Sequence, residues 1–297
     1  MTGWIVYDSK QYERNRWFAE ELQKHCLSFG DAKLIITERL RFGISADRPI
    51  LLYDGAPISA PDFVIMRSIF PLLSDFLEAA GVRVFNDSTT ARICNDKRLT
   101  HLSVLRSGVR MMDTLFFDRD YFSENALSAV SYPAVVKSAS GHGGKEVFFV
   151  NSSDELLTAV HSMQDSRFLI QKPFSPSGQD LRVYVLGGRV IGSALRTSDS
   201  LKSNFSLGGK ATFHTLAAHE QSAVSAVISS LPFSPDFIGI DFLYGGSDLI
   251  FNEIEDVVGT RMLYETSDLD PASLYVSYIK KNLLQKKILM CLKHPKK

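Results

Sequence analysis

FIGIDFLYGGSDLIFNEIEDVVG, residues 237–259, decides how the chain is read. Two apolar runs, FIGIDFLY and DLIFNEIE, flank Gly245-Gly246. Paired glycines supply the positive φ that a two-residue hairpin loop needs. The apolar content says that both arms are largely buried, yet they carry Asp241, Glu253 and Glu255. Side chains alternate along a strand, so Glu253 and Glu255 share a face, and counting back through the turn sets Asp241 roughly opposite them. Three acids on one buried wall repel one another unless a cation sits among them. With no His or Cys pattern nearby, oxygen donors of this kind suit a hard ion, Mg²⁺ or Mn²⁺. For an isolated hairpin the commoner explanation is pairing with an arginine or exposure to solvent, so the rest of the chain has to decide.

Working outward, the chain from Asp180 onward reads as antiparallel. DLRVYVLGGRVIGSALRTS holds two strands around Gly187-Gly188, a polar Gly-rich loop follows, and a helix is expected over Leu216–Leu231. A last helix runs from Pro271 to about Lys293. Toward the N-terminus the pattern changes to alternating strands and helices: GWIVYD, a helix over Tyr12–Phe29 with Trp17, Phe18, Leu22 and Cys26 toward the core, then AKLIITE, PILLYDG, PDFVIMR and VRVFND. That alternation argues for a small parallel α/β unit. Between them lie MDTLFF, a helix over Tyr121–Val130, YPAVVKS, the Gly-rich turn SASGHGGKE, VFFV, a helix over Leu156–Met163 and RFLIQKPF. The expected class is therefore mixed α/β and α+β in three parts, 1–95, 96–174 and 175–297.

Composition narrows the function classes. The 297 residues carry 33 Lys and Arg against 33 Asp and Glu, so no overall field recruits nucleic acid or a membrane surface. The lysines near the end, Lys280 to Lys297, read as the solvated face of the last helix and a tail. Cys26, Cys94 and Cys291 make neither a disulfide framework nor a metal spacing. The chain begins MTGWIVYDSK with no basic-then-apolar leader, and no apolar run approaches eighteen residues. A cytoplasmic protein is expected.

The residues that carry chemistry come in a fixed order. Asn95-Asp96-Lys97 precedes a helix, and Lys137 ends a strand just before SASGHGG, where glycines let backbone N–H groups approach an anion. Alone, that turn is no more than a Gly-rich β-turn with a lysine, and it is neither a Walker A loop nor a dinucleotide fingerprint. Gln171-Lys172-Pro173-Phe174 ends the next strand. Asp180 and Arg182 share a face at the start of the double-glycine hairpin, and an ion pair across the strands is the plain alternative for them. Arg196 lies at its far end, followed by Lys202, Asn204, Gly208, Gly209 and Lys210. Gly239-Ile240-Asp241 and Asn252-Glu253-Ile254-Glu255, ahead of Gly259, close the series.

Taken in order over roughly residues 60 to 260, these segments resemble an ATP-grasp ligase, most closely the RimK-like branch of carboxylate–amine ligases. The resemblance implies an N-terminal Rossmann-like domain and two ATP-grasp subdomains, with ATP between the latter under a mobile Gly-rich lid (Gly141, Gly143, Gly144). Lys97 and Lys137 would hold the α- and β-phosphates, Gln171, Lys172 and Phe174 would form the adenine hinge, and Asp180, beside Arg182, would sit by the ribose. Lys202 and Asn204 would reach the γ-phosphate and metal, Arg196 the reacting acyl group, and Asp241, Glu253 and Glu255 would bind Mg²⁺ or Mn²⁺. The implied reaction passes from a carboxylate through an acyl phosphate to an amide, on an amino acid, a peptide or a protein tail. Relatives are often dimers or tetramers. Arg67 and Arg261 are candidates for a substrate carboxylate, each against a structural role. The chain departs from the family pattern at Glu255, where Asn is usual, at Glu146, where a third glycine is common, and at Pro173, which has no N–H for adenine. Two rivals are an ATP-binding module without turnover and an interaction protein recruited through its basic C-terminal helix.

Overall fold

The computed structural model describes all residues except 122, 145, 175–177, 198–209, 245–248 and 294–297. Strand β1 (Thr2–Tyr7) leads into α1 (Ser9–Cys26), which starts where the Asp8 side chain accepts from the Gln11 N–H. That cap sets the helix three residues earlier than its periodicity predicts. Then follow β2 (Asp31–Ile36), β3 (Leu40–Ser45), β4 (Arg48–Tyr53), β5 (Ala56–Pro57), β6 (Phe63–Met66), α2 (Pro71–Ala79), β7 (Arg83–Phe85), α3 (Ser88–Cys94) and α4 (Lys97–Val104). A parallel sheet in the order β2-β1-β6-β7 fulfils the α/β expectation, its β1 and β6 buried end to end apart from Thr2. PILLYDG does not join it. Its strand β4 pairs antiparallel with β3 and β5 in a separate three-stranded sheet.

The middle of the chain comprises β8 (Thr114–Asp118), β9 (Ala134–Ser138), β10 (Val147–Val150), α5 (Ser153–Ser162) and β11 (Arg167–Gln171). Its sheet runs β10-β9-β11-β8 and packs α5 over Val136, Phe168 and Ile170. The helix expected over residues 121–130 is replaced by two 3-10 turns, Arg119–Tyr121 and Glu124–Ala129. Such short turns leave no 3.6-residue stripe for a pattern to find.

The last part holds β12 (Gln179–Leu186), β13 (Arg189–Thr197), β14 (Lys210–Phe213), α6 (Ala218–Ser230), β15 (Phe237–Tyr244), β16 (Leu249–Glu255), α7 (Arg261–Thr266) and α8 (Pro271–Lys293). The five-stranded sheet is antiparallel, in the order β14-β13-β12-β15-β16. One face packs on α6 through Val183, Val224 and Ile240. The first and last parts share a second core, in which Ile5, Phe18 and Leu22 meet Tyr184, Phe237, Tyr275 and Ile279. Helix α8 packs into that core through Ala272, Tyr275, Val276, Ile279 and Leu283. Trp17, expected inside, is 52% exposed and stands edge-on to Tyr264 at 4.7 Å.

Candidate active site

The site is built on the acidic hairpin, and its register is not the simple one. Asp241 pairs with Glu253 and Gly239 with Glu255, but Phe242 pairs with Phe251, so Asn252 is the extra residue of a β-bulge. The bulge lets Asn252 and Glu253 both face away from the buried Phe251 and Ile254. A ligand oxygen from each of Asp241, Glu253 and Glu255 lies within 4.8 Å of the others. The expected cluster of acids is therefore real.

The acids are also paired, as the plainer expectation had it. Because β12 lies between β13 and β15, Arg182 stands beside Asp241 and Asp180 beside Arg196. Arg182 donates from Nε to Asp241 Oδ1 at 2.7 Å and from Nη2 to Oδ2 at 2.6 Å, and its Nη2 is 2.7 Å from Glu255. Arg196 reaches Asp241 Oδ2 at 2.9 Å and also binds Asp180. Asp241 Oδ2 thus has both lone pairs in use, and Oδ1 keeps one open. Burial pushes the Asp241 carboxyl up, but Arg182 and Arg196 outweigh it and hold the group well below the carboxylate range. Glu253 is lowered, with Lys97 chief among the charges that overcome its burial. Glu255 is raised, by burial and then, against Arg182, by Asp241 and Glu253. The ionised form of Glu255 is thus disfavoured, and a cation beside it would favour that form.

Opposite stand the two lysines. Asp96 caps α4, which brings Lys97 to the wall, 3.4 Å from Glu253. Lys97 also ties down the Gly-rich turn, its backbone N–H donating to Ala139 and its ammonium to the Gly141 carbonyl. Gly143 and Gly144 have φ of +66° and +71°, where a side chain would be strained. Lys137, on β9, donates to Asn252 Oδ1 at 3.1 Å. Burial lowers its pKa to about 8, with Glu253 opposing and Lys97 adding to the fall.

At the end of β11, Gln171 is buried, and its amide nitrogen meets His101 Nε2 at 3.2 Å and Thr114 Oγ1 at 3.0 Å. His101 sits one turn after Lys97 and bonds the Lys97 carbonyl through Nδ1 at 2.7 Å, while burial lowers its pKa to about 4. The neutral ring therefore donates from Nδ1 and accepts from Gln171. The Lys172 N–H is engaged by the Asp113 carbonyl, its side chain is exposed, and Phe174 is half-buried. Sequence reasoning missed His101, although its spacing of four from Lys97 puts both on one helix face. It missed Asn252 as well, for which the consecutive polar residues in FNE are the signal.

The substrate candidates separate. Arg67 is 4% exposed, donates to the Val258 carbonyl at 2.8 Å and lies over the Phe18 ring. Arg261 opens α7 and is exposed. Lys202 and Asn204, with Gly208 and Gly209, lie outside the described residues, as does the Gly245-Gly246 turn.

A family model described as the RimK-like ATP-grasp domain matches residues 94–279. The chain belongs to the RimK-like ATP-grasp family. It is 33% identical over 234 residues to N-acetylaspartylglutamate synthase A of Homo sapiens, covering 73% of this chain and 59% of that protein. A probable alpha-L-glutamate ligase of Maridesulfovibrio salexigens is 27% identical over 284 residues, covering 91% and 93%. Among solved structures, the RimK domain ATP-grasp protein of Sphaerobacter thermophilus superposes with a TM-score of 0.69 at 17% identity, over 94% of this chain and 99% of that one. The D-alanine–D-alanine ligase of Bacillus anthracis complexed with ATP gives 0.69 at 13% identity, over 96% of each. ATP-grasp ligases use ATP and divalent cations, the classes of ligand to which the lysines and the all-oxygen acid wall are suited. Among the described residues no helix is long and apolar enough to cross a membrane.

Proposed function

We propose that this chain is an ADP-forming carboxylate–amine ligase acting on an amino acid, a peptide or a protein tail. What carries the reading is one juxtaposition: Asp241, Glu253 and Glu255 within 4.8 Å of one another, with Lys97 at 3.4 Å from Glu253. Lys97 and Lys137 bind the phosphates of ATP, and the neutral His101 holds Gln171 oriented at the nucleotide hinge. Glu253, Glu255 and the open lone pair of Asp241 Oδ1 hold Mg²⁺, which when bound neutralises phosphate charge. An oxygen of the substrate carboxylate attacks the γ-phosphorus, its bond to the ADP oxygen breaks, and ADP leaves. The amine nitrogen then attacks the acyl carbon, the carbon–oxygen bond to phosphate breaks, and the amine proton is lost as the amide forms. Arg196 and Arg182, buried against Asp241 and charged throughout the ordinary pH range, present fixed positive charge to these anions. Lys202 and Asn204 belong to the same proposal at the γ-phosphate.

The names of the relatives favour glutamate as the amine, because a synthase of N-acetylaspartylglutamate and a glutamate ligase are both similar over most of this chain. Arg261 is the candidate for a substrate carboxylate, since Arg67 is committed to Val258. A reducing, cytoplasmic setting agrees with Cys26 and Cys94, both free and buried. The test is ADP release from Mg²⁺-ATP against pools of acids, amino acids and peptides, with Glu253→Gln as the blank. Release that needs a particular pool and disappears in the variant supports the ligase. ATP binding with no release from any pool favours the module without turnover, which the pairing of Glu255 with Arg182 would explain.

A further inference from the structure

The open end of the acidic hairpin is held by the first part of the chain. Asn86, just past β7, is 4% exposed, and its amide makes four hydrogen bonds to backbone. Nδ2 donates to the carbonyls of Phe237 at 2.7 Å and Asp256 at 2.8 Å. Oδ1 accepts from the N–H groups of Asp236 at 3.0 Å and Phe237 at 2.9 Å. An asparagine amide has two donors and two lone pairs, so its capacity is full. Phe237 begins β15, and Asp256 directly follows the last residue of β16. One side chain therefore joins both arms where the ladder stops. Two neighbours grip the same exit. Asn95, at the end of α3, donates to Asp256 Oδ1 at 2.9 Å, and Arg67 donates to the Val258 carbonyl at 2.8 Å.

We infer that Asn86, assisted by Asn95 and Arg67, is a positioning residue that fixes where Glu253 and Glu255 stand and so sets the affinity of the acid wall for its cation. This rests on the metal reading proposed above. The physical need is specific. Glu255 is the last residue of its strand, and Asp241 and Glu253 repel it. A strand end frays readily, and like-charge repulsion there favours splaying before a cation arrives. Anchoring the next carbonyl holds the three carboxylates together beforehand, and it registers them to the first part of the chain. Groups that hold metal-binding carboxylates in place commonly account for about 10–100-fold in metal affinity.

The experiment titrates Mn²⁺ into the intact protein without ATP and reads free Mn²⁺ by electron paramagnetic resonance. It compares the wild type with Glu253→Gln, Asn86→Asp and Leu77→Ala. Asn86→Asp keeps both acceptors and loses both donors. Leu77, in the core of the first part and away from the hairpin, supplies a loss of melting temperature without touching the acids. The expected result is tight binding by the wild type, lost in Glu253→Gln, about tenfold weaker in Asn86→Asp, and unchanged in Leu77→Ala. Equal binding by Asn86→Asp and wild type, or equal weakening in Leu77→Ala, overturns the inference while leaving the metal reading intact. A wild type that binds no Mn²⁺ overturns both. If Asn86→Asp fails to fold, Asn95→Ala takes its place under the same criteria.

Discussion

The two hairpins of the C-terminal sheet make a useful contrast. β12 and β13 carry Asp180, Arg182 and Arg196, an excess of positive charge, whereas β15 and β16 carry Asp241, Glu253 and Glu255 on the facing strands. The first hairpin has its register shift at Tyr184/Val185, away from the charges that meet the acids; the second has it beside Glu253. The arginine hairpin is thus regular where it meets the acids, and the acidic one is distorted there. Neutralising Asp241 takes Arg182 directly opposite it and Arg196 from one strand further, both in regular stretches of the ladder. Bringing Glu253 and Asn252 together toward Lys97 and Lys137 needs the bulge. Two arginines neutralise Asp241, whereas Glu255 has Arg182 alone.

The contrast can be broken most forcefully at Arg182. Arg182→Met leaves the buried Asp241 and the half-buried Glu255 without their main partner, and urea unfolding should show a loss of about 3–5 kcal/mol. A loss below 1 kcal/mol would mean that the two hairpins are not electrostatically joined. A smaller effect is expected at Asp256, whose buried carboxyl is pushed up to about 7. A folded pKa above the unfolded value means that this group stabilises the fold at pH below about 4, and the contribution is lost as pH rises toward 7. Asp256→Asn keeps an acceptor for Asn95 and cannot ionise. Its melting temperature relative to wild type should therefore rise between pH 4 and 8, an effect worth up to a few kcal/mol at about 1.4 kcal/mol per pKa unit. A constant difference across that range would show that burial of this charge costs nothing.

The smallest effect concerns the lysine side of the site. Lys137 has a folded pKa lowered to about 8, so its positive charge is present below that pH and lost above it. ATP affinity, measured by calorimetry, should weaken by up to about thirtyfold between pH 7 and 9.5 in the wild type, the fall in the protonated fraction. Lys137→Arg, which stays charged, should hold its affinity constant over the same range. Parallel pH profiles would remove Lys137 from the phosphate site.

Much of this was legible in the sequence, for identifiable reasons. Gly187-Gly188 and the alternating runs on either side fix a hairpin, and the acids at 241, 253 and 255 fall together because period-two counting survives to within one residue. That one residue, Asn252, left a single signal, the consecutive polar pair in FNE, because a bulge keeps the apolar pattern on either side of it. The arginine partners depended on which strand lies beside β12, and sheet order is a long-range property. PILLYDG reads as a strand whichever sheet it joins. Trp17 fits the apolar stripe of α1 but lies at its edge, against Tyr264. Asn86 carries no local signal, because its four partners lie 150 to 170 residues away.

The central claim, an acid activated as its acyl phosphate on this wall, is tested most directly by isotope. The acid that supports ADP release is supplied with ¹⁸O in its carboxylate, and the phosphate released is analysed by mass spectrometry. Phosphate carrying one ¹⁸O atom per turnover is the predicted result. Phosphate without ¹⁸O, with amide still formed, would contradict the account.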